Sequence, residues 1–370
     1  MHVFGPNELL EDVLKQDLCI GCGACVDLCP YFKNYNGKTA SLFPCDLTKG
    51  RCYAYCPKAE VDIDELSKQI WGIPFDGSPL GNYQEVMAAR AGENMVKGSF
   101  QGGGTVSSLI AFALKHKHID AAALTDSEGL KPISRLVTAW EEVVGCATSK
   151  FMASPTLSAV NTGIREGYTR LGVVGTPCQM MAVAQLRGNP MAKEDFADPI
   201  ALTIGLFCNW SLDARQLTAM LADKLDVSGI RSMDIPPPPA NIMIVETQDR
   251  RLEIPLSEVK PLIPQTCFIC LDMTAEWCDV SVGMFEGRPG WNTLIVRSES
   301  GAELVRQARD KGFLEAEEMP RQNLNRLAKA AADKKERSLR TLIRRGLINN
   351  EAGKRSSVKI APEIVKKILG

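Results

Sequence analysis

Residues 19–30 read CIGCGACVDLCP, and this stretch decides the fold of the N-terminal part of the chain. Its four cysteines, Cys19, Cys22, Cys25 and Cys29, follow the C-x2-C-x2-C-x3-C-P spacing that holds [4Fe–4S] clusters in bacterial proteins. The short spacings let three thiolates wrap one corner of a cubane, and the intervening glycines let backbone amides approach its sulfides. The fourth cysteine, before a proline, leaves in another direction and reaches a second cluster. The stretch therefore predicts a small domain that carries iron–sulfur clusters.

A second, degenerate copy of the motif follows at Cys45, Cys52 and Cys56, the last again before a proline. In such pairs the last cysteine of each motif ligates the other cluster. The predicted ligands are Cys19, Cys22, Cys25 and Cys56 at the first cluster site, and Cys29, Cys45 and Cys52 at the second cluster site. Lys49 stands where a regular motif has its middle cysteine. The fourth ligand of the second site is therefore Asp46, a water, or absent, and its absence would allow a [3Fe–4S] cluster.

Composition favours metal cofactors over disulfides or zinc. The chain has thirteen cysteines, an odd number, and only three histidines, which disfavours Cys/His zinc sites. Met1 to Leu10 show no basic region followed by an apolar run, so we expect a cytoplasmic protein, in which disulfides are disfavoured. A net charge of −1 gives no signal for nucleic-acid binding. The longest apolar stretch, around Val106 to Leu114, is too short to span a bilayer.

From about residue 96 the sequence alternates between helical and strand patterns, which predicts an α/β domain. A Gly-rich turn in the run KGSFQGGGTVSSLIAFALKHK opens an apolar helix. The predicted elements that follow are strands at Ala121–Thr125, Leu171–Val174 and Ile200–Phe207, a helix at Gln179–Leu186, and a hairpin of 242–247 with 251–255. The predicted domains are 1–60, ferredoxin-like; 61–95, a connecting segment; 96–320, the α/β domain; and 321–370, a basic helical segment.

Four further cysteines lie in apolar contexts marked by Gly or Pro. Cys178 in GTPCQ and Cys208 in GLFCN each follow a predicted strand, and Cys267 and Cys270 form the CxxC of TCFIC. Because the carboxyl ends of parallel strands meet at one edge of a sheet, these cysteines could form a third cluster site. The alternative is that they are small core residues, as free cysteines often are. Cys278 could substitute as a ligand, and we expect Cys146 to pack in the core.

Together, these motifs resemble a known family. QGG at 101–103, SKF at 149–151, GTPCQ at 175–179, and CFIC followed by DVSVG at 279–283 are similar to the family of coenzyme F420 hydrogenase/dehydrogenase beta subunits. The resemblance covers roughly residues 85–320. The N-terminal part resembles that of the formate dehydrogenase beta subunits of methanogens.

The resemblance implies an α/β flavin-binding domain with an N-terminal bis-cluster ferredoxin-like domain. It further implies an FAD, a flavin-side [4Fe–4S] cluster and coenzyme F420, a deazaflavin, bound against the flavin. Carried over by position, the FAD residues are Gln101, Gly102, Gly103, Gly104, Thr105 and Thr176, with Ser149 and Lys150 near the phosphates. The ligands of the flavin-side cluster, here the third cluster site, are Cys178, Cys208, Cys267 and Cys270. Read without the family, the turn is often only a turn and Lys150 only a solvated charge.

The predicted function is an electron-transfer subunit that exchanges hydride with F420 at FAD. It relays single electrons through about three clusters to another oxidoreductase subunit, of formate dehydrogenase, hydrogenase or heterodisulfide-reductase-like type. The alternatives are a flavoprotein that uses NAD(P)H or ferredoxin, and a non-catalytic ferredoxin-like relay. The helix predicted at Arg321–Arg345 has nine Lys/Arg and two Asp/Glu, a net +7. We expect this helix to present either a solvated face or a functional basic surface that includes Lys334, Lys335 and Arg337. That surface would dock an acidic partner subunit or form a positive rim for the phosphate and acidic tail of the deazaflavin.

Overall fold

The computed structural model describes residues 3–96, 98, 100–189, 191, 194–237, 239–351 and 354–370. His2 and, in the run that leads into the Gly-rich turn, Lys97 and Ser99 lie outside the described residues. The strands are β1 (Phe32–Tyr35), β2 (Lys38–Ser41), β3 (Val61–Asp62), β4 (Glu85–Ala91), β5 (Ala121–Glu128), β6 (Lys131–Val137), β7 (Leu171–Gly175), β8 (Ile200–Leu206), β9 (Ile230–Asp234), β10 (Ile242–Thr247), β11 (Arg251–Pro255), β12 (Val280–Met284), β13 (Asn292–Val296), β14 (Leu314–Glu318) and β15 (Val358–Lys359).

The helices predicted after the Gly-rich turn, at Gln179–Leu186 and at Arg321–Arg345 are present, each close to its expected bounds. They are α1 (Pro6–Leu9), α2 (Arg51–Ala54), α3 (Ile63–Trp71), α4 (Thr105–Lys115), α5 (Leu157–Arg165), α6 (Pro177–Arg187), α7 (Ala214–Ala222), α8 (Leu256–Val259), α9 (Glu299–Asp310), α10 (Arg321–Arg344) and α11 (Pro362–Leu369). No helix in these described ranges is both long and apolar enough to cross a membrane.

The largest sheet in the described part of the chain has eight strands in the order β14-β4-β13-β12-β8-β7-β5-β6. Its middle strands β12, β8, β7 and β5 are parallel. They are short apolar runs, such as the fully buried LGVVG of β7, because helices cover both faces of a parallel sheet. The predicted α/β domain, its strands and the hairpin of β10 and β11 are thus confirmed.

Strand β4 lies inside residues 61–95, where the sequence analysis expects a connecting segment. It pairs with β13 on one side and β14 on the other, so it is an interior strand of the large sheet. Its centre, Met87 to Ala89, is almost fully buried. The main sheet therefore begins within this segment, about ten residues before residue 96.

The C-terminal segment returns to the N-terminal part of the chain, where β15 pairs with β3. Helix α10 covers the range expected for the basic helix, but its basic face is not uniformly solvated. Lys334 and Lys335 are each only 2% exposed, whereas Arg337 and Arg340 are exposed. The expectation of an exposed docking surface is therefore wrong for these two lysines, because tertiary contacts described below enclose them.

Candidate functional site

One edge of the large sheet gathers most of the predicted site. Strand β4 is antiparallel to β13, which is antiparallel to β12, so β4 points the same way as β12, β8, β7 and β5. The Gly-rich turn follows β4, Thr176 and Cys178 follow β7, and Cys208 follows β8. In open α/β sheets, ligands bind at this carboxyl edge.

The four cysteines of the third cluster site lie close enough to influence one another electrostatically. Burial, followed by the neighbouring Cys270 and Cys267, raises the pKa of the Cys178 thiol to about 11. Burial is the largest cause that raises the pKa of Cys208. Lys334 lowers this pKa, whereas Cys267, Cys178 and Cys270 raise it. Metal ligation requires thiolates, and iron would offset the cost of burying their negative charges. Their arrangement fits a four-cysteine cluster.

The N-terminal cysteines separate into the two groups that the interleaving rule predicts. Burial, followed by Cys25 and Cys56, raises the pKa of Cys22 well above its usual value. At the second cluster site, burial raises the pKa of Cys52 to about 11, with Cys29 and Cys45 adding to the shift. Within the first cluster site, the charge of Cys19 also contributes to raising the pKa of both Cys25 and Cys56. The ligand sets stay a prediction, which this grouping supports.

The three cluster sites form a series. The charge of Cys178, in the third site, contributes to raising the pKa of Cys22 in the first site. The charge of Cys52, in the second site, contributes in the same way to the raised pKa values of Cys25 and Cys56 in the first site. The first site thus adjoins both of the others, and the Thr266 hydroxyl, next to Cys267, donates to the carbonyl oxygen of Leu18, next to Cys19, at 2.7 Å.

A buried asparagine that the sequence analysis missed packs the ferredoxin-like loop against the α/β domain. The side-chain amide of Asn161, on α5, donates to the carbonyl oxygens of Val26 at 2.7 Å and Ala24 at 3.1 Å. Nearby, a Cβ on Gly23 would lie 2.4 Å from the carbonyl oxygen of Pro155, so only glycine fits at this position. A lone Asn within a helical pattern carries no sequence signal for such a role.

Single-metal sites are absent from the described residues: no three His, Cys, Asp or Glu side chains there converge closely enough to hold one ion. A cubane places its thiolates on separate irons, so its ligands are spaced more widely than those around one ion. All thirteen cysteines are free of disulfides.

Cys278 and Cys146 lie apart from the three groups. The Cys278 thiol is buried and lies 3.0 Å from the carbonyl oxygens of both Ala275 and Val280, either of which can accept its one S–H. Burial raises its pKa to about 12, and the charged groups acting on it are Arg297, Asp279 and Asp272 rather than cluster cysteines. Cys146 is half-buried at the end of the 3-10 segment Trp140–Cys146. We therefore exclude both from the predicted ligand sets.

The Gly-rich turn needs its glycines for two different reasons. Gly102 and Gly104 have φ of +79° and +73°, in the left-handed region that favours glycine. At Gly103 the constraint is space, since a Cβ would lie 2.6 Å from Asn292 Oδ1 and 3.1 Å from the carbonyl oxygen of Ala89. The turn is therefore packed tightly against the start of β13 and the end of β4.

Two predicted FAD segments meet at this turn. Gln101 accepts a hydrogen bond from the Ser149 backbone N–H at 2.6 Å, and its amide donates to Asp234 at 2.5 Å. Lys150 is half-buried, forms no ion pair with a carboxylate among the described residues, and donates to the Thr148 hydroxyl at 2.8 Å. Burial lowers the pKa of Lys150, while Asp126 and Cys146 oppose this shift.

The exposed part of this region fits a phosphate group. Gln101, Gly102 and Ser149 are exposed, beside the Lys150 ammonium. Thr105 is instead fully buried, and its hydroxyl has no hydrogen-bond partner within the described residues. Thr105 is therefore enclosed in the turn, which disfavours the expected direct contact of its side chain with FAD.

Thr176 lies elsewhere along the edge, beside the third cluster site. Its hydroxyl is 3.3 Å from the Cys178 sulfur, and with Gln179 it forms a capping box at the start of α6. Four strand intervals separate β4 from β7, which corresponds to roughly 20 Å. The predicted FAD residues thus form an extended set. A separate cavity of about 590 Å³, lined by Trp291, Arg306 and others, shares none of these residues.

Comparisons with known proteins agree with this architecture. Residues 86–161 match the N-terminal model, and residues 168–322 the C-terminal model, of the coenzyme F420 hydrogenase/dehydrogenase beta subunit. Residues 13–31 match a 4Fe-4S binding domain, which leaves the second cysteine motif outside that match.

Individual relatives cover most of the chain. The coenzyme F420 hydrogenase subunit beta of Methanothermobacter thermautotrophicus is 30% identical over 273 residues, 72% of this chain and 96% of the relative. An F(420)H(2) dehydrogenase subunit of Methanosarcina mazei is 28% identical over 329 residues, 86% of this chain and 90% of the relative. A chain of the F420-reducing [NiFe] hydrogenase complex from Methanosarcina barkeri shares the fold, with a TM-score of 0.67 and 24% identity over 72% of this chain and 94% of that one. The protein therefore belongs to the family of coenzyme F420 hydrogenase/dehydrogenase beta subunits, which are components of oxidoreductases.

Proposed function

We propose that this chain is the flavin-bearing subunit of an F420-linked oxidoreductase, exchanging hydride with coenzyme F420 and single electrons with a partner subunit. The observation that carries the proposal is the serial order of the three cysteine groups. The third group lies at the carboxyl edge of the sheet, where the predicted FAD residues are, and the first group joins it to the second. Such a series suits a relay that leads from a flavin toward another protein.

FAD would supply the exchange between two-electron hydride chemistry and one-electron chemistry. Gln101, Ser149 and Lys150 would bind its phosphates through an exposed polar surface and the Lys150 ammonium. The distance between this surface and Thr176 suits an extended dinucleotide. Among the residues that the structure describes at this edge we find no general acid–base pair, and hydride exchange requires none.

The far end of the relay has the character of a docking surface. Leu42, Phe43 and Leu47 are 52%, 60% and 60% exposed and flank Cys45 of the second cluster site in the sequence, and the Phe43 ring packs edge-on against the exposed ring of Tyr31. Exposed apolar side chains grouped in this way mark protein–protein contacts. We propose that the partner oxidoreductase subunit binds here, which would place it next to the second cluster.

Cofactor content tests the proposal. We predict about three clusters and one FAD per chain after anaerobic purification, measured as iron, acid-labile sulfide and released flavin. The prediction rests on the eleven grouped cysteines and on the polar surface beside the Gly-rich turn. A preparation with about four irons per chain and no flavin would contradict it.

A further inference from the structure

A buried lysine joins the C-terminal helix to the third cluster site. Lys334 of α10 is 2% exposed, and its ammonium donates to the backbone carbonyl oxygens of Cys208 at 2.6 Å and Asp272 at 2.8 Å. One carbonyl belongs to a predicted ligand, and the other lies two residues after the predicted ligand Cys270. The lysine thus connects the two chain segments that supply three of the four ligands.

The neighbouring lysine shows how a buried ammonium is ordinarily accommodated. Lys335, also 2% exposed, forms an ion pair with the buried Glu276 at 2.7 Å. Lys334 forms no such pair with any carboxylate in the described ranges, and carbonyl dipoles alone only partly offset the cost of burying a full charge. An additional source of negative charge is therefore needed to account for its burial.

The thiolates of the third site would supply this charge when they hold a cluster. The Lys334 ammonium is hydrogen-bonded to the backbone of Cys208, and its second acceptor, Asp272, follows Cys270 by two residues. The Asp272 carboxylate accepts a hydrogen bond from the Glu276 backbone N–H at 2.7 Å, and its other oxygen has no partner among the described atoms. Lys334 is thus held against the two segments that carry Cys208 and Cys270 rather than against a carboxylate.

We propose that Lys334 is the counter-cation of the third cluster and that its charge raises the reduction potential of that cluster. A cluster held by four thiolates would gain one negative charge on reduction, so a fixed cation held against the backbone of its ligands would stabilise the reduced form more than the oxidised form. Lys334 is a positioning residue, since it contacts ligand backbone rather than reacting atoms. The inference rests on the proposed third cluster but not on the identity of the hydride donor.

The test is a redox titration of the purified, cluster-loaded chain, monitored by electron paramagnetic resonance. Lys334→Met should decrease the equilibrium constant for reduction of one cluster by about tenfold or more, which is about 59 mV for one electron. The other clusters should titrate as in wild type. Lys334→Arg, which keeps the charge, should restore the potential to within about threefold, or roughly 30 mV. The matched control, exposed Arg337→Gln on the same helix, should change nothing.

A second measurement separates charge compensation from simple structural support. In chain stripped of iron by a chelator, Lys334 loses its proposed counter-charge, so Lys334→Met should unfold in denaturant at the same concentration as wild type or at a higher one. In loaded chain the same change should make cluster loss faster. Equal destabilisation of both forms, or a variant that fails to fold even when stripped, would overturn the proposal.

The two proposals fail in different ways. A wild-type chain without a third cluster signal would contradict the proposed function. A wild-type chain with that signal, but with an unchanged potential in Lys334→Met, would refute only the role of Lys334.

Discussion

Replacing Cys178 by serine should leave flavin bound but reduce electron transfer to the first and second cluster sites to background. Cys178 lies in the first turn of helix α6, shortly after β7 ends at Gly175, and it contributes to raising the pKa of Cys22 of the first site. Losing this thiolate leaves the third cluster labile or absent, because ligand identity governs both assembly and potential. The measurement is the appearance of reduced-cluster signals after the flavin has been reduced.

Cys278→Ser is the matched control for this change. Cys278 is more deeply buried than Cys178, and it contacts the carbonyls of Ala275 and Val280, which a serine hydroxyl can also reach. Electron flow in this variant should match wild type. Normal flow in Cys178→Ser, or equal loss in both variants, would refute the assignment of Cys178 as a ligand.

Gly103→Val should lower flavin affinity by about tenfold or more. The new side chain would meet Asn292 and the carbonyl of Ala89 at less than van der Waals distance. Such overpacking costs about 1–3 kcal/mol, and each 1.4 kcal/mol is about tenfold in affinity. Relief requires the turn to shift, which moves Gln101 away from Ser149. Flavin content and titration of stripped chain with FAD measure the loss.

Gly145→Val controls for adding a β-branched residue nearby. A Cβ at Gly145 would meet only the end of the Arg135 side chain, at 3.7 Å. This variant should retain flavin. Stoichiometric flavin in purified Gly103→Val would show that the turn serves the fold alone.

The parts of the structure that the sequence predicts well depend on local spacing. The grouping of Cys22 with Cys25, and the strand at Leu171–Gly175, follow from neighbouring residues, because a short cysteine loop and an apolar run each specify their own geometry. The strand ends that precede Cys178 and Cys208 could also be located from such runs. Spacing and strand order alone already suggest that these cysteines join the distant CxxC, and the resemblance favours this set over the alternative of small core residues.

The parts that the sequence analysis missed depend on long-range contacts. Lys334 and Lys335 occur among many charges and look solvated, but their partners lie 126 and 59 residues away, at Cys208 and Glu276. Arg297 is similar: it is 1% exposed and donates to the carbonyls of Leu80 and Asn82, far earlier in the chain. A single sequence carries no local signal for a buried cation whose acceptors are backbone carbonyls of other segments.

The most direct test of the central claim is rapid mixing of the oxidised, anaerobically purified chain with reduced coenzyme F420, and in parallel with NADH. The account predicts that F420H2 bleaches the flavin absorbance first and that reduced-cluster signals follow, while NADH leaves both unchanged on the same timescale. Reduction by NADH alone, or cluster reduction without a preceding flavin change, would contradict it.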